Sequence, residues 1–548
     1  MHRAVTLGLV LLLAACASTG AVAPLPSPEP AATAAAAAAT ATAVAAELAS
    51  LRFDQARGRF GEKVAAALST ETLAQQWSAM TDHLGAFRRV RLLREEPRPE
   101  GARAVVVECE YEQDSLALLV VVDAGQRVIG LRPAPAHVPG AFEEVGREFL
   151  DLLVAGEWTK ATARFDEQMT RLVPEERLAA SFEAFCAENG ERRAPVAAQV
   201  SPRGAGAVVD LEYAWSKRNA KVRVALDKRL RVEGYFFLPA WNAPDYADPS
   251  RFEEREVTVG TPRFPLPATL TLPRGEGPFP ALVLVHGSGP ADRDESSGPN
   301  KLFKDLAWGL AGRGVAVLRF EKRTRHYQGK LSGADVPTVK EESIDDALTA
   351  IARLAKTPGI DPKRLFVAGH SLGASLAPRI ARADPRVHGI VLLAGSTRTD
   401  GQVHLDQHRY LAPLWVDSKE QQEQIVREAE EIAHRLDSPG LKPEDSVLGV
   451  PGTYWLDQRA NPGHTLAAGL VLPILVLQGE RDYQITMEDY AGWQKALGGR
   501  PNATFKSYPK LNHHFMPGEG PSTPREYATP NHAPLEVIED LARWLLES

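Results

Sequence analysis

The stretch Leu365-Phe366-Val367-Ala368-Gly369-His370-Ser371-Leu372-Gly373 decides how this chain is read. An apolar, strand-like run leads into Gly-x-Ser-x-Gly, and a helix-like stretch follows over residues 374–383. A serine on so tight a strand-to-helix turn projects its hydroxyl above the sheet edge. The backbone N–H that follows it can face a developing oxyanion. The flanking glycines suit that geometry, because the bend is sharp and neighbouring backbone lies too close for a Cβ. The pentapeptide alone carries little weight, since with Gly and Ser each near ~7% of residues roughly 0.2 would arise by chance in such a chain. The strand before it and the helix after it make Ser371 a candidate nucleophile.

Working outward, the same alternation continues on both sides. Residues 256–259 and 268–272 read as antiparallel strands. Ala281-Leu282-Val283-Leu284-Val285 reads as a fully buried parallel strand ending in His286-Gly287-Ser288-Gly289-Pro290. A helix over 303–310, a strand over 315–319 and a helix over 343–354 come next, the last with Ile344, Ala347, Leu348, Ile351 and Leu354 on one face. Strands over 389–394 and 470–478 and a closing helix over 535–546 complete the pattern. Such alternation predicts an α/β fold, a doubly wound, mostly parallel sheet covered on both faces.

A serine is not nucleophilic at neutral pH until a base takes its proton, and the base needs an acid partner to fix its tautomer. On an elbow fold these follow in the order Ser, acid, His. Gln478-Gly479-Glu480-Arg481-Asp482 offers two carboxylates on one loop; Asp482 is the choice and Glu480 the alternative. Leu511-Asn512-His513-His514-Phe515 offers two imidazoles that point apart on a loop; His513 is the choice, leaving His514 as wall or surface. His286, His370 and His464 read as structural or pocket-lining, because a base at any of them would break the chain order. The oxyanion donors are expected to be the N–H groups of Leu372 and Ser288, with Gly287 and Gly289 shaping the turn. Arg293 and Asp294 read as braces of that loop. This chemistry requires no metal and no cofactor.

Together these motifs carry a resemblance. His286-Gly287-Ser288-Gly289-Pro290-x-Asp292-Arg293-Asp294, Gly369-His370-Ser371-Leu372-Gly373, Gln478-Gly479-x-Arg481-Asp482-Tyr483 and Leu511-Asn512-His513 are specific in combination. Residues 251–548 resemble an α/β-hydrolase of the serine-aminopeptidase-like/dienelactone-hydrolase-like group. The resemblance implies Ser371, Asp482 and His513 as a triad, in agreement with the residue-level reading. Two departures from the family pattern are visible: His514 replaces a more usual apolar residue, and Ala374 stands where a third Gly is common. An insertion over about 396–469 is too long for a simple connection. Its stripe Ile425, Ala429, Ile432 and Leu436 predicts an amphipathic helix, and Tyr410, Trp415, Tyr454 and Trp455 add aromatics. It reads as a helical cap whose inner face would select substrate.

At 548 residues the chain calls for two to four domains. Hydrophobic residues at 44% and charged ones at 24% fit ordinary globular cores, and a net charge of -7 without a basic block shows no bias toward nucleic acid, so no nucleic-acid partner is expected. Cys16, Cys109 and Cys186 are too few for a disulfide framework, although a Cys109–Cys186 bridge stays open. Residues 1–15 have the layout of a secretion signal and are too short to span a bilayer. They end in Leu13-Ala14-Ala15-Cys16, which resembles the lipobox of bacterial lipoproteins. That resemblance implies a signal peptide with lipobox over residues 1–16, cut just ahead of Cys16 so that Cys16 becomes the lipid-modified first residue, and a membrane contact through the lipid. The other reading is an ordinary cleaved signal with an incidental Cys. Ala17, where an Asp would favour inner-membrane retention, points to the outer membrane. Residues 17–46, mostly Ala, Pro and Thr, read as a tether.

Between them lies a duplication. Arg59-Phe60 aligns with Arg164-Phe165, Trp77 and Met80 with Phe182 and Phe185, and Asp123, Arg127, Val128 and Gly130 with Asp227, Arg231, Val232 and Gly234. The near-constant offset predicts two copies of one small α+β domain, over 47–136 and 140–240, helices first and strands after. They resemble cone-shaped nuclear-transport-factor-like domains that precede hydrolases in some bacterial envelope proteins, and read as spacing or partner-docking units. The leading functional expectation is a cell-envelope serine hydrolase that cleaves a small carboxylic ester through an acyl-enzyme. An amidase or peptidase comes second. An envelope scaffold or binding protein working through the duplicated domains is the reading from another class.

Overall fold

The computed structural model describes residues 34–82, 84–98, 101–327 and 338–548, so Cys16 and its lipobox lie outside the described residues. The chain divides near Asn242 into two compact units.

The first unit begins earlier than the tether reading allows. Ala34–Ala49 is a helix whose Ala37, Ala41, Val44, Ala45 and Leu48 are fully buried on one face, in one core with Val105, Val107 and Val120. Residues 34–46 are therefore part of a domain and not a tether. The physical reason is that alanine has the best helix propensity, and its small side chain lets a helix lie close on a sheet. What looks too bland to bury anything buries an entire face.

The duplication is visible bond by bond. Helices 70–81 and 175–189 place Trp77 and Phe182 in two equivalent cores. Each copy then forms a four-stranded antiparallel meander, Phe87–Pro97, Arg103–Tyr111, Ser115–Val122 and Val128–Pro133 in the first, and Arg192–Arg203, Gly206–Trp215, Asn219–Leu226 and Val232–Pro239 in the second. Phe60 bridges Val128 as Phe165 bridges Val232. Asp123 Oδ1 accepts the Arg127 N–H at 2.8 Å, and Asp227 Oδ1 accepts the Arg231 N–H at 2.8 Å. The first strand of each copy is a finding beyond the sequence reading. Both are edge strands, one full of Arg and Glu and the other carrying Pro195, so neither shows an apolar alternation. Cys109 and Cys186 are both free.

The second unit is built on an eight-stranded sheet. Across it run Ala503–Tyr508, Ile474–Gly479, Val387–Leu393, Ile360–His370, Phe279–Val285, Ala316–Phe320, Phe264–Pro273 and Phe252–Thr261. The first six are parallel and the last two antiparallel to their neighbours. Period-two burial sorts the strands onto two cores. Leu282, Leu284, Phe366, Ala368, Val391 and Leu393 face the helices Leu302–Ala311 and Leu535–Glu547, while Val283, Val285, Leu365, Val367, Ile390 and Leu392 face Asp345–Leu354 and Leu372–Ala383. The α/β, doubly wound expectation holds. Ala503–Tyr508 is an extra edge strand after the one expected to be last. Phe279–Val285 pairs with Ala316–Phe320 on one side and Ile360–His370 on the other, so the winding reverses there. A crevice opens at the carboxyl ends of strands that flank such a reversal.

Candidate active site

Both key loops leave the sheet at that crevice. Ser371 sits between strand and helix at φ 54°, ψ −118°, a conformation that costs a non-glycine residue about 1–3 kcal/mol. Its own N–H donates to Leu393 O at 2.8 Å, which helps hold it there. A Cβ on Gly369 would lie 2.0 Å from Gly373 O, and one on Gly373 would lie 2.2 Å from Val285 O. The pentapeptide is thus a steric necessity of this turn. Leu372 opens the helix, where the first N–H groups have no acceptor within the helix and point positive partial charge at the crevice.

The two sequence alternatives resolve by geometry. His513 Nδ1 lies 2.6 Å from Asp482 Oδ2, with both side chains almost fully buried. Asp482 Oδ1 accepts the N–H groups of Gln484 at 2.7 Å and Ile485 at 3.0 Å, which fixes the carboxylate plane. Glu480 is exposed and accepts from Ser507 Oγ at 2.7 Å, turned to another edge of the loop. His514 packs its ring 4.9 Å from that of Tyr527, and burial together with His370 and His513 pushes its pKa down to about 3. A neutral, unpaired ring of this kind is a wall. Asn512 braces the loop, its Oδ1 accepting from the N–H groups of His514 and Met516.

His370 links the pieces. Its Nε2 lies 2.9 Å from His513 O, and its Nδ1 faces Glu295 Oε2 at 3.1 Å. Burial alone would lower the His370 pKa, but the Glu295 carboxylate more than offsets this and raises it. Burial likewise would raise Glu295, yet the facing His370 takes it down to about 2. Glu295 Oε1 also accepts the Gly287 N–H at 2.6 Å, so that amide is taken and cannot serve an oxyanion. Ser288, the next residue, is exposed and lines the crevice. Glu295 escaped the sequence reading because it closes the run Asp292-Arg293-Asp294-Glu295, which looks like a solvated charge cluster. Arg293 pairs with Glu256 and Glu321 and Asp294 with Arg319, the bracing expected of them. His286 is buried between Phe303 and Phe320 and pushed down to about 4 by desolvation, a core residue. His464 lines the crevice.

The insertion closes a cavity of about 400 Å³ over this point. Its helices are Asp400–Trp415, Lys419–Asp437, Gly452–Ala460 and Gly463–Ala468. Ser371, Ser288 and Leu372 form one side, and Val403, Tyr454 and Trp455 part of the other. Of the remaining aromatics, Tyr410 stacks on Tyr483 at 4.8 Å and Trp415 is exposed, so neither lines the cavity. Ala429 and Leu436 of the expected stripe are buried, and Ile425 and Ile432 half-buried.

Comparison with known proteins agrees with this architecture. Residues 282–529 match the family described as Alpha/beta hydrolase family. Esterase EstD of Thermotoga maritima is 41% identical over 328 residues, spanning 59% of this chain and 76% of that one. The chain belongs to the alpha/beta hydrolase family. A shorter match, 33% over 91 residues, covers 16% of this alpha/beta hydrolase and 29% of Thiohydrolase apmlB of Arthrinium phaeospermum. Among solved structures, the hyperthermophilic esterase from Pyrobaculum calidifontis is 17% identical, with 54% of this chain and 85% of that one covered and a TM-score of 0.35. Residues 41–131 match a family described as a protein of unknown function (DUF3887), a match that starts inside the Ala34–Ala49 helix.

Proposed function

We propose that this alpha/beta hydrolase is a serine esterase that cleaves small carboxylic esters through an acyl-enzyme. Ser371 attacks the carbonyl carbon, and His513 takes its proton and returns it to the leaving alcohol. Asp482 orients the imidazole and stabilises the imidazolium. The N–H groups of Leu372 and Ser288 receive the oxyanion, and water then repeats the sequence to release the acid. The observation that carries this reading is the 2.6 Å contact between His513 Nδ1 and the twice-anchored Asp482, together with a serine held at positive φ at the helix N-terminus. The 41% identity to an esterase supports an ester as substrate.

Leu13-Ala14-Ala15-Cys16 supports anchoring in the bacterial envelope through a lipid on Cys16, with the duplicated domains as spacing or docking units. Transfer of the protein to the soluble fraction on Cys16→Ala tests the anchor. The chemistry is tested with a fluorophosphonate probe and p-nitrophenyl acetate on protein that keeps the Ala34–Ala49 helix. Labelling and turnover are expected to vanish together in Ser371→Ala. Wild-type protein that folds but takes no label would overturn the mechanism.

A further inference from the structure

Lys322 follows the strand Ala316–Phe320 and is only 1% exposed. Its Nζ donates to Gly287 O at 2.7 Å and lies 3.4 Å from Glu342 Oε2. Glu342, itself 4% exposed, sits in the single π-helical turn Lys340–Ile344. It accepts from Thr324 Oγ1 at 2.8 Å and from Tyr454 Oη at 3.1 Å, and Tyr454 lines the cavity above Ser371.

The Gly287 carbonyl and the Ser288 N–H belong to one peptide unit. That unit is planar and trans, so its oxygen and its hydrogen point in opposite directions. Fixing the oxygen therefore aims the N–H. A cation on the oxygen also draws electron density away from the nitrogen, which makes the N–H a stronger donor. The preceding peptide is fixed independently by the Gly287 N–H bond to Glu295. Both sides of Gly287 are thus clamped by buried charged groups, and the next amide along the loop is that of Ser288, which lines the crevice.

Burying a lysine is expensive, and a buried ion pair is often matched or bettered in stability by apolar residues of similar volume. Packing alone does not account for an ammonium here. We propose that Lys322 is a positioning residue for the oxyanion: through Gly287 O it aims and polarises the Ser288 N–H, with Glu342 holding the ammonium in place. This rests on the assignment of Ser371 and Ser288 made above.

The test compares wild type, Lys322→Met, the double variant Lys322→Met/Glu342→Gln, and Ser371→Ala. Active serines are counted by complete fluorophosphonate labelling, and kcat, KM for p-nitrophenyl acetate and Tm are measured. Losing a whole oxyanion donor costs about 10²–10³ in kcat, so a donor that stays but is no longer aimed is expected to cost about 10- to 100-fold per labelled serine. KM should barely move, because the contact matters in the transition state. Lys322→Met leaves Glu342 buried without its cation and should lower Tm or prevent folding. The double variant removes both charges, and it should recover Tm while keeping the low kcat. Wild-type kcat per labelled serine in the double variant would overturn the proposal, as would a loss confined to KM. An active, labelled Ser371→Ala would instead overturn the triad itself, and the two failures are read separately.

Discussion

Replacing Asp482 by Asn changes one atom, and the structure dictates which way the new amide must turn. Oδ1 receives two backbone N–H groups, from Gln484 and Ile485, and an amide nitrogen placed there would meet two donors. The amide oxygen therefore stays at the Oδ1 position and the NH₂ faces His513 Nδ1, 2.6 Å away in the native protein. Two donors cannot share that contact, so Nδ1 must give up its proton and accept, and Nε2 carries the hydrogen instead. A base protonated on the atom that should receive the serine proton is no base. Loss of the correct tautomer in a serine triad lowers kcat by about 10⁴. At about 1.4 kcal/mol per tenfold, that is roughly 5 kcal/mol of transition-state stabilisation. The fold should be little affected, because the volume and the two backbone bonds are kept and only the 3.3 Å bond from Gln478 Nε2 to Oδ2 is lost. The assay is p-nitrophenyl acetate hydrolysis per labelled serine, with Tm as control and Glu480→Gln beside it. A folded Asp482→Asn protein within about tenfold of wild type would refute the reasoning, and so would an equal loss in Glu480→Gln.

Three further outcomes follow from the same contacts. Glu295, depressed to about 2, contributes stability that is complete above the ordinary carboxylate pKa near 4.5 and is lost as pH falls through about 2. His370, raised from 6.5, contributes below its ordinary value and loses that as pH rises through its folded pKa, so the Tm gap between wild type and Glu295→Gln should be widest between about pH 4.5 and 6.5 and narrow on either side. A gap independent of pH would show that the pair is not ionic. Starting the chain at Glu47 removes buried Ala37, Ala41, Val44 and Ala45 from the first core and should lower the Tm of the amino-terminal unit and expose dye-binding surface, whereas the tether reading requires no change. Gly373→Ala would place a Cβ 2.2 Å from Val285 O; both labelling and folding yield should collapse, and normal labelling would show that the turn has room for a Cβ there.

The sequence by itself determined what depends on short spans of chain. Strand, Gly-x-Ser-x-Gly and helix are neighbours along the backbone, and a turn that tolerates no Cβ at Gly369 or Gly373 writes itself into the sequence. Period-two burial was legible for the same reason, as was a duplication whose copies repeat Asp-x-x-x-Arg turns at matching places. The first strand of each repeat was not legible, because one solvated side and a charged or proline-bearing sequence erase the alternation that marks a strand. Nor was the Ala34–Ala49 helix, whose partner is a sheet that starts about forty residues later. Only the tertiary structure showed that it is Asp482 and His513 that meet, with Glu480 and His514 turned elsewhere, since neighbouring side chains on one loop differ in nothing but the direction they take. Only it could show that Glu295 claims the Gly287 amide and Lys322 the Gly287 carbonyl. Those charges look like any solvated run until the sheet folds them under the loop, because a buried contact is fixed by long-range register and packing, and a sequence records the residues without the distance between them.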